Sequence, residues 1–220
     1  MSEFLSDAAD FLPLLLSGLW ITIAITLCAL ILSVILGFTW ALMGTSRFAV
    51  LRVASRTLIN TVRGIPILVQ LFYIYFVLPD VGIQMTALEA SIIGLGFGYS
   101  TYVAEIIRSG IEAVDPGQFD AAQSIGMGRV KTMYRVILPQ AVRVALPPYA
   151  NTLVMMLKDS SLASTITVAE MTREGQLIAA STFQNVTVYT LVALGYLAMS
   201  LPLMSLTRHL EKRFGKHKAK

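Results

Sequence analysis

Long apolar runs alternate with short polar ones along this chain, and the alternation predicts a helical membrane protein. Residues 11–46 carry no charged side chain, enough for one tilted span with interfacial ends. Gly18 and Trp20 mark its start, and Gly37, Trp40 and Gly44 its end; both tryptophans suit interfacial anchors. The next charge-free run, residues 64–79, is rich in β-branched and aromatic residues. It is marginal for a span unless residues 58–62 join it. After a short polar connection, residues 90–104 hold Gly94, Gly96 and Gly98, small residues that let helices approach closely in lipid. Residues 105–143 form a long polar loop. Residues 144–157 are apolar but short and broken by Pro147 and Pro148, so they cross only with their flanks. Residues 158–174 are mixed, and the charge-free residues 175–207 hold the last span.

Charge placement turns these runs into a topology. Fifteen of the 17 basic residues fall in alternate connections: Arg47, Arg52, Arg56 and Arg63; then Arg108, Arg129, Lys131, Arg135 and Arg143; then Arg208, Lys212, Arg213, Lys216, Lys218 and Lys220. Lys158 and Arg173 are the remainder. Loops on the cytoplasmic side concentrate Lys and Arg. The expectation is an all-α membrane protein of five transmembrane helices, with its N-terminus outside and its C-terminus cytoplasmic. Glu3, Asp7, Asp10 and Asp80 then fall outside. The first residues are acidic where a cleavable signal would be basic, so the first span is expected to insert and stay.

Composition agrees. Over 220 residues the chain is 55% hydrophobic and 14% charged, with a mean hydropathy of +0.70; soluble domains carry about 25% charged residues. One transmembrane domain over residues 1–220 is the simplest organisation. The net charge of +4 comes from residues that flank spans, where lipid headgroups account for them, so no nucleic-acid partner is expected. Cys28 lies alone in an apolar run, and His209 and His217 sit in the basic tail with no other ligand beside them, so no metal site is expected.

Three segments carry candidate chemistry. Within the loop, Asp115 and Pro116 read as an N-cap and first helical residue. Phe119, Ala122 and Ile125 follow at three-residue spacing, an apolar stripe. Ala121 and Ala122 are small enough to admit another surface. Gly126 and Gly128 end the helix and permit a sharp turn, after which residues 129–137 return to the membrane and Pro139 marks the boundary. The product is a short exposed helix that fits a groove on a soluble partner; an ordinary interfacial helix is the alternative. The second segment is Arg63-Gly64-Ile65-Pro66, with Gln70 four residues beyond the proline. Gly and Pro there open the helical ladder, which suits a wall of a cavity or a simple cap. The third is Asn151, followed by Lys158-Asp159-Ser160-Ser161. An Asn within a span needs a partner, either substrate or a neighbouring helix. Lys158 and Asp159 supply both signs that an amino acid zwitterion needs, or form a solvated pair. Glu105, Arg108 and Glu112 pair at three- and four-residue spacing and stabilise a helix end.

The loop resembles a known pattern. Permease subunits of ATP-binding cassette (ABC) importers carry Glu-Ala-Ala, three residues, Gly, nine residues, then Ile-x-Leu-Pro. Here Asp120-Ala121-Ala122, Gly126 and Val136-Ile137-Leu138-Pro139 have that spacing, with Asp for Glu and Val for Ile. Residues 63–70 and the run Lys-Asp-Ser-Ser-Leu at 158–162 resemble segments of the polar amino acid class of these bacterial permeases. The resemblance covers nearly the whole chain. It implies a type I ABC importer permease-like fold in the cell inner (cytoplasmic) membrane, with a coupling loop at about residues 113–139. It implies ABC ATPase subunits that bind ATP and Mg, a second permease chain, an extracytoplasmic amino acid binding protein and an amino acid substrate. By the resemblance, Asp120, Ala121, Ala122, Ile125, Gly126 and Gly128 face the ATPase, while Gln70, Asn151, Ser160 and Ser161 lie near the substrate path. Many relatives place Glu after the equivalent of Asn151, where this chain has Thr152; if that position meets the substrate side chain, a cationic substrate is disfavoured.

The chain itself lacks GxxxxGK[ST], HExxH and GxSxG patterns, so it is expected to bind no nucleotide by a phosphate loop and to be no enzyme. Two other classes remain as alternatives: a transporter or channel subunit that needs no ATPase, and a membrane-embedded hydrolase, which the tail position of both histidines disfavours.

Overall fold

The computed structural model describes residues 2–214, with side chains from residue 6; Lys216, His217, Lys218 and Lys220 of the basic tail and the side chain of Glu3 lie outside the described residues. No strand occurs among the described residues.

The first helix, α1 (Ser2–Gly44), packs along α4 (Ala87–Glu112). A Cβ added to Gly96 of α4 would fall 2.7 Å from Leu32, and one added to Gly37 would fall 2.7 Å from the Ser100 carbonyl. Residue numbers rise together along this seam, so the two helices run parallel. The chain between them must return. It does so through α2 (Ala49–Gly64) and α3 (Ile67–Phe72), which continues through a π-helical turn, Tyr73–Val77, and a 3-10 turn, Leu78–Val81. Leu71 of α3 meets Gly94 and Ile67 meets Gly98, so α3 is antiparallel to α4. A capping box starts α4: Thr86 Oγ1 accepts from the Glu89 amide, and the Glu89 carboxylate accepts from the Thr86 amide.

After the loop helices α5 (Pro116–Ser124) and α6 (Arg129–Thr132), a π-turn at Met133–Ile137 leads into α7 (Leu138–Asp159). Ala141 of α7 meets Gly110, while Asp159, at the other end, accepts a hydrogen bond from Tyr99; α7 therefore runs against α4. A 3-10 segment, Ser160–Ile166, and α8 (Met171–Thr182) precede α9 (Asn185–Phe214). Leu12 to Leu19 share a crevice with Leu191 to Gly195, and Ile23 to Leu27 share one with Met199 to Leu203, so α9 is parallel to α1. Direction thus alternates through α1, α2–α3, α4, α7 and α9. One core joins Ile25, Leu95, Tyr99, Met156 and Ile166; a second joins Leu15, Met171, Ile178 and Val188.

Several expectations change. Pro147 and Pro148 do not break α7, which is continuous around them. In lipid a helix is the backbone's best solution, and local adjustments satisfy the carbonyls a proline frees; Thr152 Oγ1 donates to the Pro148 carbonyl. Nor does Pro139 end a helix. The π-turn before it shifts the ladder, with the Leu138 amide reaching back to the Met133 carbonyl, and the helix runs on. Residues 58–62 do not extend the second span in line, because α2 and α3 meet at 100°. Trp40 is no free interfacial anchor: its Nε1 donates to Ser100 Oγ on α4 at 3.0 Å. The charge-free residues 175–207 divide between α8 and α9 at Phe183, a left-handed residue with φ 60°.

Among the described residues α1, α4 and α9 are long and apolar enough to cross a membrane alone, and the bent α2–α3 pair qualifies jointly.

Candidate functional site

The polar loop is built as expected from its ends. Asp115 Oδ1 accepts from the Gly117 amide at 2.6 Å, and Pro116 opens α5. At the far end the Met127 amide donates to the Ala122 carbonyl and the Gly126 amide to the Gln123 carbonyl, with Gly126 at φ 79°. This pair of bonds is a Schellman cap, and its left-handed residue is the one that glycine serves best. Gly128 then N-caps α6. The hairpin is seated on a small core of Val114, Ile137 and Ala141, with Phe119, Met133 and Val136 packed against it. Gln140 Nε2 also donates to Gln118 Oε1 at 3.3 Å, tying α5 to α7.

Of the residues predicted to face a partner, Asp120, Ala121, Gly126 and Gly128 are exposed and Ala122 is buried. Phe119, Ala122 and Ile125 do not share one face: Ala122 is buried, whereas Ile125, expected to face a partner, is 77% exposed. Val130 (72%) and Tyr134 (68%) accompany it. Sequence reading missed those two, although their four-residue spacing on a charged helix was a signal. Arg129, Lys131 and Arg135 surround them, also exposed. Beside the hairpin opens a cleft of about 870 Å³ that Gln118, Gln140, Arg143 and Arg213 help to line.

The predicted path residues do not form one cluster. Gln70 closes the bend between α2 and α3. Its Nε2 donates to the Val62 and Ile65 carbonyls, each at 2.9 Å; the Ile65 carbonyl has no backbone donor at the break, and the Val62 carbonyl has only the Ile65 amide at 3.3 Å. Two acceptors on one nitrogen fix the orientation of the amide. Its Oε1 is buried without a hydrogen-bond partner and lies where a Cβ on Gly98 would be 3.1 Å away. Ser160 is buried and donates to the Leu157 carbonyl at 2.6 Å; Ser161, half-buried, donates to the Lys158 carbonyl at 2.7 Å. The 3-10 segment they open packs against α3 and α4, with Ile166 in the main core against which Ile67 and Ile74 also pack. Asn151 stands apart and exposed on α7, nine residues before Ser160, about 14 Å along the helix axis. Thr152 is turned inward and buried. Lys158 and Asp159 are no mutual pair: Asp159 Oδ2 accepts from the buried Tyr99 hydroxyl at 2.8 Å. Arg108 bridges Glu105 and Glu112 as expected, and Arg63 of α2 approaches Glu105 at 3.9 Å.

One polar cluster went unread. Glu170 is fully buried and accepts from Tyr196 at 2.7 Å, the Arg173 amide at 2.9 Å and Thr22 at 3.3 Å. It joins α1, α8 and α9.

A family model described as the binding-protein-dependent transport system inner membrane component matches residues 33–216. The chain belongs to that family. Across 207 residues the permease is 38% identical to the probable amino-acid ABC transporter permease protein YckA of Bacillus subtilis (strain 168), covering 94% of this chain and 92% of that one. To the L-cystine transport system permease protein TcyB of the same organism it is 37% identical, covering 96% and 91%. A crystal structure of an amino acid ABC transporter with histidines superposes with a TM-score of 0.90 at 38% identity, covering 96% of this chain and 98% of that one. The permease is thus a membrane transport subunit of the amino-acid ABC importers and not their ATPase.

Proposed function

We propose that this permease crosses the inner membrane five times, through α1, the α3 limb of the bent α2–α3 pair, α4, α7 and α9, with its N-terminus outside. The alternating helix directions and the alternating basic loops support that topology. The hairpin of α5 and α6 then faces the cytoplasm and docks on an ABC ATPase that binds ATP and Mg. Ile125, Val130 and Tyr134 enter a groove of the ATPase, with Asp120, Ala121 and the turn at Gly126 and Gly128 beside them. Ala122, buried, holds the hairpin on its base. A second permease chain, identical or homologous, completes the translocation path, and an extracytoplasmic binding protein delivers a polar amino acid. Asn151 faces that path: an exposed amide on a crossing helix needs water, substrate or another protein surface. Gln70, Ser160 and Ser161 shape the path from behind, since the Gln70 amide nitrogen and both serine hydroxyls are engaged with backbone.

ATP binding shifts the pair between inward-open and outward-open only if nucleotide binds one arrangement more tightly. The hairpin carries that preference to the spans, because its base is packed on α7 and tied to it by Gln118 and Gln140. The observation that carries the reading is the exposed apolar trio on a hairpin whose turn is closed by its own backbone.

The test is Gly126→Arg in the complete transporter, reconstituted in vesicles. A side chain at φ 79° strains the turn by roughly 1–2 kcal/mol and crowds the docking surface. Uptake per ATP hydrolysed is expected to fall at least tenfold while the chain still inserts. An unchanged uptake-to-hydrolysis ratio would sink the coupling assignment.

A further inference from the structure

Helix α2 does not point through the membrane. It meets α3 at 100°, and α3 lies antiparallel to α4, so α2 runs nearly at right angles to the long apolar helices. Both of its ends lie at one depth. Near the start, Ser55 Oγ donates to the Trp40 carbonyl, close to the end of α1. At the finish, Arg63 reaches Glu105 and covers the Tyr102 ring, close to the end of α4. Trp40 is itself bonded to Ser100 of α4. Gln70 locks this attitude by holding both carbonyls at the bend.

Charge is segregated around the helix. Ser55, Ile59 and Val62 are buried against the spans. Arg52, Arg56 and Arg63 recur at i, i+4 and i+11, one ridge at the edge of that face, and Arg47 precedes it. No acid lies between residues 47 and 79. Among the described residues Arg47, Arg52 and Arg56 make no salt bridge, and Arg52 donates only to the Ser46 and Arg47 carbonyls. Phe48, Val50 and Val53 are exposed on the same segment. Low overall hydrophobicity, one arginine ridge and a separate apolar surface describe a helix that lies in a membrane interface.

We propose that α2 with Arg47 is a binding surface for anionic phospholipid headgroups of the leaflet into which α1 and α4 end. The guanidinium groups take the phosphates, while Phe48, Val50 and Val53 enter the acyl boundary. Charge complementarity selects this occupant: three arginines, Arg47, Arg52 and Arg56, without an acidic partner among the described residues match a phosphate layer. The leaflet is the cytoplasmic one under the topology proposed above, but the lipid preference does not depend on that assignment.

The experiment extracts the assembled transporter from vesicles of equal phosphatidylglycerol and phosphatidylcholine and counts retained lipids by native mass spectrometry. Wild type is expected to retain phosphatidylglycerol several-fold over phosphatidylcholine. In the Arg47→Gln/Arg56→Gln double variant, enrichment should fall to near parity between the two lipids, with the ATPase still bound. A second measurement replaces Cys28 by Ala and places a spin label at Val53→Cys, where lipids carrying a nitroxide near the headgroup should broaden the signal more than chain-end ones. Unchanged enrichment in the double variant overturns the proposal, as does a label that only water reaches. Loss of the ATPase in place of lipid also overturns it and assigns the arginine ridge to an acidic protein surface.

Discussion

Two of the breaks between helices, at Gly126 and at Gly64 to Pro66, are finished in opposite ways. At Gly126 the turn is closed by main-chain bonds alone, from Gly126 to Gln123 and from Met127 to Ala122. No side chain is spent on it, so Ile125 and its neighbours remain free at the surface. At Gly64 to Pro66 one side chain, Gln70, closes the Ile65 carbonyl and reinforces the Val62 carbonyl, and its remaining oxygen is sealed against Gly98. A break in water can leave its polar groups to solvent, whereas one at membrane depth must satisfy them from within. The first break therefore presents chemistry outward, and the second absorbs it.

The sharpest way to break the contrast is Gln70→Leu. It keeps the volume but leaves the Ile65 carbonyl without a donor and the Val62 carbonyl with only the Ile65 amide at 3.3 Å, a loss of about 1–3 kcal/mol. A fall of several degrees in the detergent melting temperature is expected; retention of wild-type stability would mean that other groups close the bend. Gly98→Ala acts on the same seal more gently. The added methyl sits 3.1 Å from Gln70 Oε1 and forces the amide to shift, for about 1–2 kcal/mol. Combined with Gln70→Leu, Gly98→Ala should cost less than it does alone, a coupling that a double-mutant cycle reads directly. Ile125→Ser is the opposite pole. Surface substitutions change stability by less than about 0.5 kcal/mol, so melting should not move, yet ATPase co-purification should drop. If instead melting falls and the ATPase stays, the contrast between the two breaks is wrong.

The two regions also differed in how far the sequence could be read. The loop signals itself locally: Asp115-Pro116 starts a helix and Gly126 ends one, and both carry these roles in the structure. The apolar stripe of Phe119, Ala122 and Ile125 does not hold to one face, for a geometric reason. Three-residue spacing drifts 60° around a helix at each step, so the third member of a 119, 122, 125 stripe leaves the face, and at residue 125 the helix is already ending. The bend was legible as Gly and Pro opening the ladder, but its angle and the use of Gln70 were not. Both depend on how α3 packs on glycines of α4, some 25 residues on. The Glu170 cluster was less legible still, because its Thr22 partner is 148 residues away and no short pattern announces it. Helix directions and the continuity of α7 through its prolines likewise belong to packing, where tertiary context overrides local preference.

Asn151 carries a consequence for how the protein is made. With α7 crossing the membrane as proposed, a newly inserted single copy turns this amide towards acyl chains, a placement lipid disfavours. Only a second chain or an aqueous path relieves it. The cell therefore holds, in one exposed side chain, a chemical difference between an orphan subunit and an assembled one. The expectation is that copies synthesised in excess of their partners turn over faster than paired copies, with Asn151→Leu lengthening the life of the unpaired chain.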